Sequence, residues 1–267
     1  MNPAFSSVKV LITVMTYPHP SKSHQELVCT AGITEQSKWV RLYPIDYRYM
    51  PAKQQFRKYQ WIEIGLADQG AGNDDRRESR RPDLKSVRVL EEPLPTTHNW
   101  RARREIIDGM PHHTTLELEE LYEKDRTSLG IVRPSEVLDL EVEQVEREWK
   151  PKWQTALKQF HIFSGPPKQL EKLPYKFSYV FRCADSADKI HRAMIEDREL
   201  GVLYRKEVER LGDEQAAVDS VRKQFLDKMC SPSRDTCFFM GTVFPYNTGV
   251  VIGVFWPAKD VQKSLFQ

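Results

Sequence analysis

The N-terminal third of the chain carries apolar runs that predict β-strands. Residues 8–17, VKVLITVMTY, form a nearly continuous apolar run that ends at the turn-forming PHPSKS, which predicts a buried strand. ELVCTAGITEQSKWVRLYPI contains two more β-rich runs, and in the second of them Trp39, Arg41 and Tyr43 alternate with aliphatic residues. YQWIEIGLA predicts another strand. The first 67 residues therefore predict a small antiparallel sheet or a partly open barrel.

The middle of the chain is polar and less regular. Residues 68–86, DQGAGNDDRRESRRPDLKS, predict a loop that carries several arginines. VRVL predicts a short strand, NWRARREIIDGM one or two helical turns, and TTLELEELYEKD a helix that a threonine caps. Valines and leucines favour a strand over residues 137–145, and WQTALKQF predicts a short helix. The Gly-Pro-Pro at residues 165–167 marks a predicted boundary.

The C-terminal third has the clearest pattern. YKFSYVFRC alternates as a strand does, and a helix or helix pair is predicted from about residue 185 to residue 210. GDEQAAVDSVRKQFLDKMC has the apolar spacing of a helix, and DTCFFMGTVFPYNTGVVIGVFWP predicts two strands joined by a turn. The sequence thus predicts an α+β fold, with a β-rich part over residues 1–164 and a strand-helix-helix-hairpin unit over residues 168–267, packed as two domains or as one.

Composition narrows the class of protein. Hydrophobic residues make up 40% of the chain and charged residues 29%, as in a soluble globular protein. No apolar run approaches the roughly 18 residues that a membrane-spanning helix needs, and the N-terminus lacks the features of a signal peptide. The four cysteines are widely scattered, which favours free thiols in a reducing compartment. A cytoplasmic protein that does not contact a membrane is predicted.

The net charge of +2 hides three blocks of opposite sign. Residues 76–104 contain nine Lys or Arg against four Asp or Glu, residues 116–148 contain eleven acids against four bases, and residues 150–182 contain seven bases against one acid. This alternation indicates one surface for an anion and another for solvent or a partner, or else blocks that neutralise each other within the fold.

Residues 181–200, FRCADSADKIHRAMIEDREL, concentrate side chains of the kinds that act in catalytic sites. One hypothesis makes Cys183 a nucleophilic thiolate, His191 its base, and Asp197 or Glu199 the group that orients the histidine. On the helix predicted here, His191 and Asp197 are six residues apart and do not share a face. That spacing favours the plainer interpretation, in which Cys183 is a core residue and Asp197 a buried acid. Both interpretations stay open.

Nucleic-acid binding is indicated by arginines and aromatic residues in two parts of the chain. Seven arginines are candidates for contacts with phosphates: Arg76, Arg77, Arg80, Arg81, Arg101, Arg103 and Arg104. Trp39, Arg41 and Tyr43 lie on a predicted strand, where exposed aromatic rings can stack on single-stranded or flipped bases. The plainer interpretation is that aromatic residues in strands face a core.

Several motifs that would indicate a cofactor or a metal are absent from the sequence. There is no GxGxxG, Walker A, GxSxG, HExxH or CxxC, and no acidic strand followed by the acid–x–lysine of restriction-type nucleases. Cys183 and His191 supply two of the four ligands that a structural zinc site needs. No cofactor and no metal are therefore predicted.

Three segments resemble a widespread bacterial family of conserved proteins of unassigned function: LPYKFSYVFRC, HRAMIEDRELGVLYR and RDTCFFMGTVFPYNTGVVIGVFWPAK. The family pattern is Cys–x4–Cys–x2–His, then Asp–Trp–Glu, then Gly–Thr–His. The resemblance implies a shared fold and points to the retained Cys183, His191, Asp197 and Glu199 as one site. Metal-type and aromatic residues of the pattern are replaced here at three positions, Asp188, Arg198 and Val243.

Three functions are compatible with these features. The leading hypothesis is a cytoplasmic bacterial protein that binds DNA or RNA and carries a processing or modifying site, such as a nuclease site, at Cys183, His191, Asp197 and Glu199. The second is an enzyme that acts on a small molecule or nucleotide through Cys183. The third is a non-catalytic subunit whose acidic segment, residues 116–148, binds a basic protein partner.

Overall fold

A computed structural model describes residues 4–21, 26–70, 74–155, 157, 170–184, 186–243 and 247–260, with the side chains of residues 186–188 outside this description. The chain divides into two compact units, each built from two stretches of sequence. Unit 1 comprises residues 1–94 and 143–176, and unit 2 comprises residues 95–142 and 177–267. The boundary predicted at residues 165–167 and the end of the helix predicted over residues 153–160 lie outside the described residues.

Unit 1 contains a strongly curled six-stranded sheet and a separate two-stranded pair. Its strands are β1 (Ser6–Met15), β2 (His19–Pro20), β3 (Glu26–Leu27), β4 (Thr30–Thr34), β5 (Trp39–Leu42), β6 (Gln60–Leu66), β7 (Ser79–Arg80) and β8 (Pro82–Val89). The large sheet has the order β7-β5-β4-β1-β6-β8, and its pairs are antiparallel except β5 with β7, which is parallel. The predicted antiparallel sheet or partly open barrel is confirmed.

One face of the large sheet carries a hydrophobic core of unit 1. Side chains alternate between the two faces of a strand, so Val40 and Leu42 of β5 point to the same side and join Val10 and Ile12 of β1 in one buried cluster around Phe56. Trp39 and Arg41 of β5 consequently point to the opposite face. Alternation along β5 therefore decides which of its side chains are available to a functional site.

The arginine-rich segment 68–86 is more ordered than the predicted loop. Within it, Ser79 and Arg80 form β7, and β8 begins at Pro82. The loop prediction was wrong for these residues because polar composition does not report backbone pairing. Here the amide of Arg41 donates to the carbonyl oxygen of Glu78 at 2.9 Å, and the amide of Tyr43 donates to that of Arg80 at 3.2 Å.

The described residues of unit 2 form four α-helices and two further sheets. Its elements are α1 (Thr97–Ile107), β9 (His112–His113), α2 (Thr115–Asp125), β10 (Leu129–Val132), β11 (Glu136–Gln144), β12 (Tyr175–Cys183), β13 (Ser186–Met194), α3 (Arg198–Leu211), α4 (Glu214–Arg222), β14 (Cys237–Val243) and β15 (Thr248–Phe255). The last two residues of β11 and the first two of β12 are assigned to unit 1. A π-helical turn, Lys223–Lys228, continues α4. The sheets have the orders β15-β14-β10-β9 and β11-β12-β13. The α+β class and the C-terminal hairpin are confirmed.

The helix predicted from about residue 185 begins 13 positions later, at Arg198. Residues 186–194 form β13, which pairs antiparallel with β12, and α3 begins only at Arg198. Burial alternates along the strand, with His191, Ala193 and Ile195 buried and the residues between them more exposed. This period of two is the mark of a strand with one face on the core, which the charged composition of the segment concealed.

Candidate functional site

The pairing of β7 with β5 brings two predicted groups of residues together at one edge of unit 1. Ser79 and Arg80 lie beside Arg41 and Leu42 in parallel register. The segment that contains the four arginines at 76, 77, 80 and 81 therefore lies next to β5, which carries Trp39 and Arg41, and next to Tyr43, which directly follows β5. We call these seven residues the β5–β7 edge.

Trp39 and Tyr43 are both half-buried, so each ring keeps part of its surface open to solvent. Arg41, between them, is only 1% exposed, and its Nη1 donates a hydrogen bond to Sγ of Cys29 at 3.0 Å. Burial, followed by the neighbouring Cys29, raises the pKa of the Tyr43 phenol above its usual value, so Tyr43 is neutral at physiological pH. The edge thus combines two neutral, half-buried aromatic residues with a buried cation.

Arg76 is held inside the fold by a buried ion pair. Nε and Nη2 of Arg76 donate to the two carboxylate oxygens of Asp74 at 2.8 and 2.7 Å, and Oγ of Ser79 donates to the same carboxylate at 2.7 Å. Burial alone would raise the pKa of Asp74, but hydrogen bonds from Arg76 and Ser79 outweigh it and hold that pKa below the usual 3.8. The pair fixes the loop that leads into β7.

Burial separates the arginines of this edge into two kinds. Arg41 and Arg76 are 1% and 7% exposed and support the edge from inside, and the predicted phosphate contact of Arg76 stays a prediction. Arg77 and Arg81 are exposed. Arg80 is half-buried, and its Nη1 donates to the carbonyl oxygens of Arg77 and Ser79 at 2.8 and 2.7 Å. The phosphate-binding role of Arg77, Arg80 and Arg81 stays a prediction.

The other three predicted arginines belong to unit 2 and have different surroundings. Arg101 is exposed and pairs with Glu105 one turn along α1. Arg103 lies over the ring of Trp100, with Cζ 5.0 Å from the ring centroid. Arg104 is mostly buried and donates to the carboxylate of Asp235 at 3.2 Å. Arg103 and Arg104 therefore also make contacts within unit 2, and the phosphate-binding role of all three arginines stays a prediction.

A threonine links two of the four residues predicted to be catalytic. Oγ1 of Thr115, at the start of α2, lies 3.0 Å from Nδ1 and 3.1 Å from Nε2 of His191, and 3.8 Å from Sγ of Cys183. The ring of Phe181 stacks on His191 with centroids 5.5 Å apart. Cys183 is 1% exposed and His191 8%. The direction of the hydrogen bond between Thr115 and His191 depends on the tautomer of the imidazole, and burial keeps the Cys183 thiol away from solvent.

Asp197 and Glu199 have a structural role that their positions explain. Asp197 is the N-cap of α3, and its carboxylate accepts a hydrogen bond from the amide of Glu199 at 2.9 Å. Capping side chains satisfy backbone amides that the helix leaves without a partner. Glu199 itself is exposed in the first turn, where an acid suits the helix dipole. A catalytic role for Cys183, His191, Asp197 and Glu199 stays a prediction.

Thr115 also lines a small cavity in unit 2. The cavity measures about 50 Å³ and has further hydroxyl side chains in its wall, among them Ser128 and Thr242. That volume accommodates a few water molecules rather than a metabolite. Among the described residues, no three His, Cys, Asp or Glu side chains are grouped closely enough to hold a metal ion.

The four thiols differ in accessibility, which predicts the order in which they react. Burial raises the pKa of the half-buried Cys230 to about 12 and that of the buried Cys237 to about 11, Cys183 is 1% exposed, and Cys29 is half-buried. Because the thiolate is the reactive form, we expect iodoacetamide at about pH 8 to alkylate Cys29 first, at least about tenfold faster than the others. Mass spectrometry of timed samples measures this. Alkylation of Cys183 as fast as Cys29 would contradict its buried position and favour the nucleophile hypothesis.

The acidic segment is partly neutralised within unit 2. Three strand acids of β11 pair with basic residues of other elements, in the contacts Glu136–Arg182, Asp139–Arg222 and Glu141–Arg192. Mutual neutralisation therefore accounts for part of the charge alternation. The predicted docking of a basic protein partner on residues 116–148 stays a prediction.

Sequence reasoning missed several residues that complete these clusters. Cys29, Asp74 and Ser79 support the β5–β7 edge, and Thr115 connects Cys183 to His191. Asp74 had a usable signal, because an Asp two residues before an Arg often bonds the following backbone, as it does here with the amide of Arg76 at 3.2 Å. The others depend on contacts between distant segments. No helix in the described part of the chain is long and apolar enough to cross a membrane.

Comparison with known proteins gives a family but no activity. No curated protein matches the sequence. A murine DNA-binding protein, solved with double-stranded DNA, aligns over 96% of this chain and 97% of its own, at 9% identity and a TM-score of 0.30, a likeness too small to carry an argument. The model "Domain of unknown function (DUF8758)" matches residues 6–109, and "Domain of unknown function (DUF8757)" matches residues 111–267, more than half of the chain. These matches agree with the resemblance to a family of unassigned function, and the protein belongs to the DUF8757 family.

Proposed function

We propose that the protein binds nucleic acid at the β5–β7 edge of unit 1. The observation that carries this proposal is the β5–β7 pairing, which brings the segment of the exposed Arg77 and Arg81 alongside the segment of the half-buried Trp39 and Tyr43. Cations beside aromatic rings are the combination that single-strand-binding surfaces use, since the cations neutralise phosphates and the rings stack on bases.

The residues of the edge have separate tasks in this proposal. Arg77 and Arg81 contact phosphates, because both are exposed next to β7. Trp39 and Tyr43 stack on bases. They lie four residues apart on one face of an extended segment, a separation of about 13 Å. Arg41 and Arg76 shape the edge from below through Cys29 and Asp74.

The half-buried position of the two rings indicates which form of nucleic acid binds. Half-buried rings on a sheet stack on bases that are unpaired or turned out of a helix, since the faces of paired bases in a duplex are already stacked on each other. We therefore expect single strands, or duplexes with flipped-out bases, to bind in preference to a regular duplex.

The Arg77→Ala/Arg81→Ala variant tests the proposal. Each phosphate contact on a single strand contributes about 0.7 to the slope of log K against log salt, so the variant should lower the slope by about 1.4 and bind more weakly. Fluorescence anisotropy with a labelled single-stranded oligonucleotide measures both quantities. The matched control is Arg57→Ala/Arg88→Ala, which removes two exposed unit 1 arginines that pair with Glu92 and Glu63. Equal loss in the two variants would show a general charge effect and would contradict the proposal.

A further inference from the structure

Two tryptophans form an aromatic cluster in unit 2 that belongs to none of the sites described above. The rings of Trp100 and Trp256 meet edge to face, with centroids 5.3 Å apart and an interplanar angle of 67°. Trp100 also packs edge to face on Phe255 at 5.4 Å. Trp100 and Trp256 are both half-buried, so part of each residue stays accessible to solvent.

Three cations from different elements converge on these two indoles. Cζ of Arg103 lies 5.0 Å from the ring centroid of Trp100, and Cζ of Arg234 lies 4.9 Å and Nζ of Lys228 5.7 Å from that of Trp256. Positive groups within about 6 Å of an indole face are attracted to it. We call these five residues the tryptophan surface.

The carboxylate that follows Arg234 in the sequence is bound by other arginines. The two carboxylate oxygens of Asp235 accept from Arg104 and Arg133.

The backbone at Trp100 is held in an unusual conformation. His98, Asn99 and Trp100 have φ angles of 51°, 52° and 61°, in the left-handed region that non-glycine residues seldom adopt. Such conformations persist where surrounding contacts enforce them, and they concentrate at functional sites.

The contacts that enforce this turn also join it to the segment after Trp256. The side-chain amide of Asn99 donates to the carbonyl oxygen of Ala258 at 3.0 Å, and the amide of Ala258 donates back to Oδ1 of Asn99 at 2.8 Å. Nε of Arg104 donates to the carbonyl oxygen of Asn99 at 3.2 Å. These three hydrogen bonds therefore hold Trp100 beside Trp256 although the backbone at Trp100 is strained.

We propose that the tryptophan surface is a second contact site for single-stranded nucleic acid, with phosphates on Arg103, Lys228 and Arg234 and a base stacked on the exposed part of the tryptophan pair. This inference rests on the proposed nucleic-acid function and extends it to unit 2. Aromatic rings surrounded by cations suit a nucleic-acid single strand, because the cations contact its phosphates while the rings stack on its bases. A buried core has no need of three cations from separate elements.

Photo-crosslinking of the full-length protein tests this inference. An oligothymidine that contains 5-iododeoxyuridine forms covalent links to aromatic side chains that it stacks on, and mass spectrometry then identifies the peptides. The variants are Lys228→Gln/Arg234→Gln in unit 2 and Arg77→Ala/Arg81→Ala in unit 1. The control Lys206→Gln/Lys223→Gln removes the same charge from exposed positions of the unit 2 helices.

We expect crosslinks at Trp100 or Trp256 that fall about tenfold or more in Lys228→Gln/Arg234→Gln and persist in the control Lys206→Gln/Lys223→Gln. For the two lost contacts, the salt slope should fall by about 1.4. The thermal melting curve of each variant confirms that it is folded.

The remaining outcomes separate this inference from the proposed function. Crosslinks confined to Trp39 and Tyr43 would overturn the inference and leave the proposed function standing. Crosslinks confined to the tryptophan surface would support the inference and overturn the assignment of binding to unit 1. No crosslinks at either place would overturn both.

Discussion

Asp74→Asn is expected to lower the free energy of unfolding of the protein by about 3 kcal/mol. The Asp74 and Arg76 side chains are 4% and 7% exposed, so removing the negative charge of Asp74 leaves a buried guanidinium group without the carboxylate that accepts two of its hydrogen bonds. The value is at the lower end for breaking a buried ion pair because Asn keeps the size of Asp and retains some of its hydrogen bonds. Urea unfolding at neutral pH measures the change.

The dependence of this loss on pH follows from the pKa of Asp74. Its pKa is held below 3.8 in the folded state, so the carboxylate stabilises the fold fully above the unfolded value of about 3.9. That contribution disappears as the pH falls through the folded pKa. The difference in stability between wild type and Asp74→Asn should therefore be constant near neutral pH and shrink below about pH 4.

Two comparison variants make this prediction specific. Arg77→Ala, one residue beyond Arg76 but exposed, should change stability by less than about 0.5 kcal/mol. Asp74→Asn/Arg76→Gln removes both charges and should be less destabilised than the sum of the single changes. If Asp74→Asn lies within about 0.5 kcal/mol of wild type, the account of Arg76 as a buried support is wrong.

Trp39→Ala and Tyr43→Ala are each expected to weaken binding of a single-stranded oligonucleotide about tenfold, and the double variant about a hundredfold. Stacking of a base on an aromatic ring contributes roughly 1–3 kcal/mol, and about 1.4 kcal/mol corresponds to a factor of ten in affinity. Tyr43→Phe keeps the ring and should bind as wild type does. Anisotropy titrations at one fixed salt concentration measure these ratios.

An abasic oligonucleotide separates stacking from misfolding. It keeps the phosphates but offers no base, so wild type should bind it more weakly, and Trp39→Ala should bind it about as well as wild type does. If Trp39→Ala weakens binding of the abasic and the normal strand equally, Trp39 acts through the fold and the stacking role is wrong. The salt slope should stay the same in both aromatic variants, because no phosphate contact is removed.

The β5–β7 edge shows how far a sequence can carry such an account. The alternation of Trp39, Arg41 and Tyr43 was readable because the period of two is a local property of a strand. The burial of Arg41 was not, since it depends on Cys29, twelve residues away on a neighbouring segment. Four arginines at 76–81 look alike in the sequence, and only the contacts of Asp74 and Ser79 distinguish Arg76 from the exposed pair.

The C-terminal cluster shows the opposite case, in which composition misled. Charged residues around His191 favoured a helix, yet burial at 191, 193 and 195 follows the period of a strand. Because His191 lies on a strand, the helical spacing that argued against a shared face for His191 and Asp197 does not apply. Thr115 reaches His191 across 76 positions of sequence, and no local pattern reports a contact of that kind.

The measurement that tests the central claim most directly is the salt dependence of binding by the wild-type protein. A fluorescein-labelled single-stranded oligonucleotide would be titrated at several salt concentrations between about 50 and about 200 mM. Because Arg77 and Arg81 each contact a phosphate, log K should fall with log salt with a slope of about −1.4 or steeper. The single strand should also bind more tightly than its duplex. Affinity that does not change with salt, or no binding to either form, would contradict a nucleic-acid-binding function.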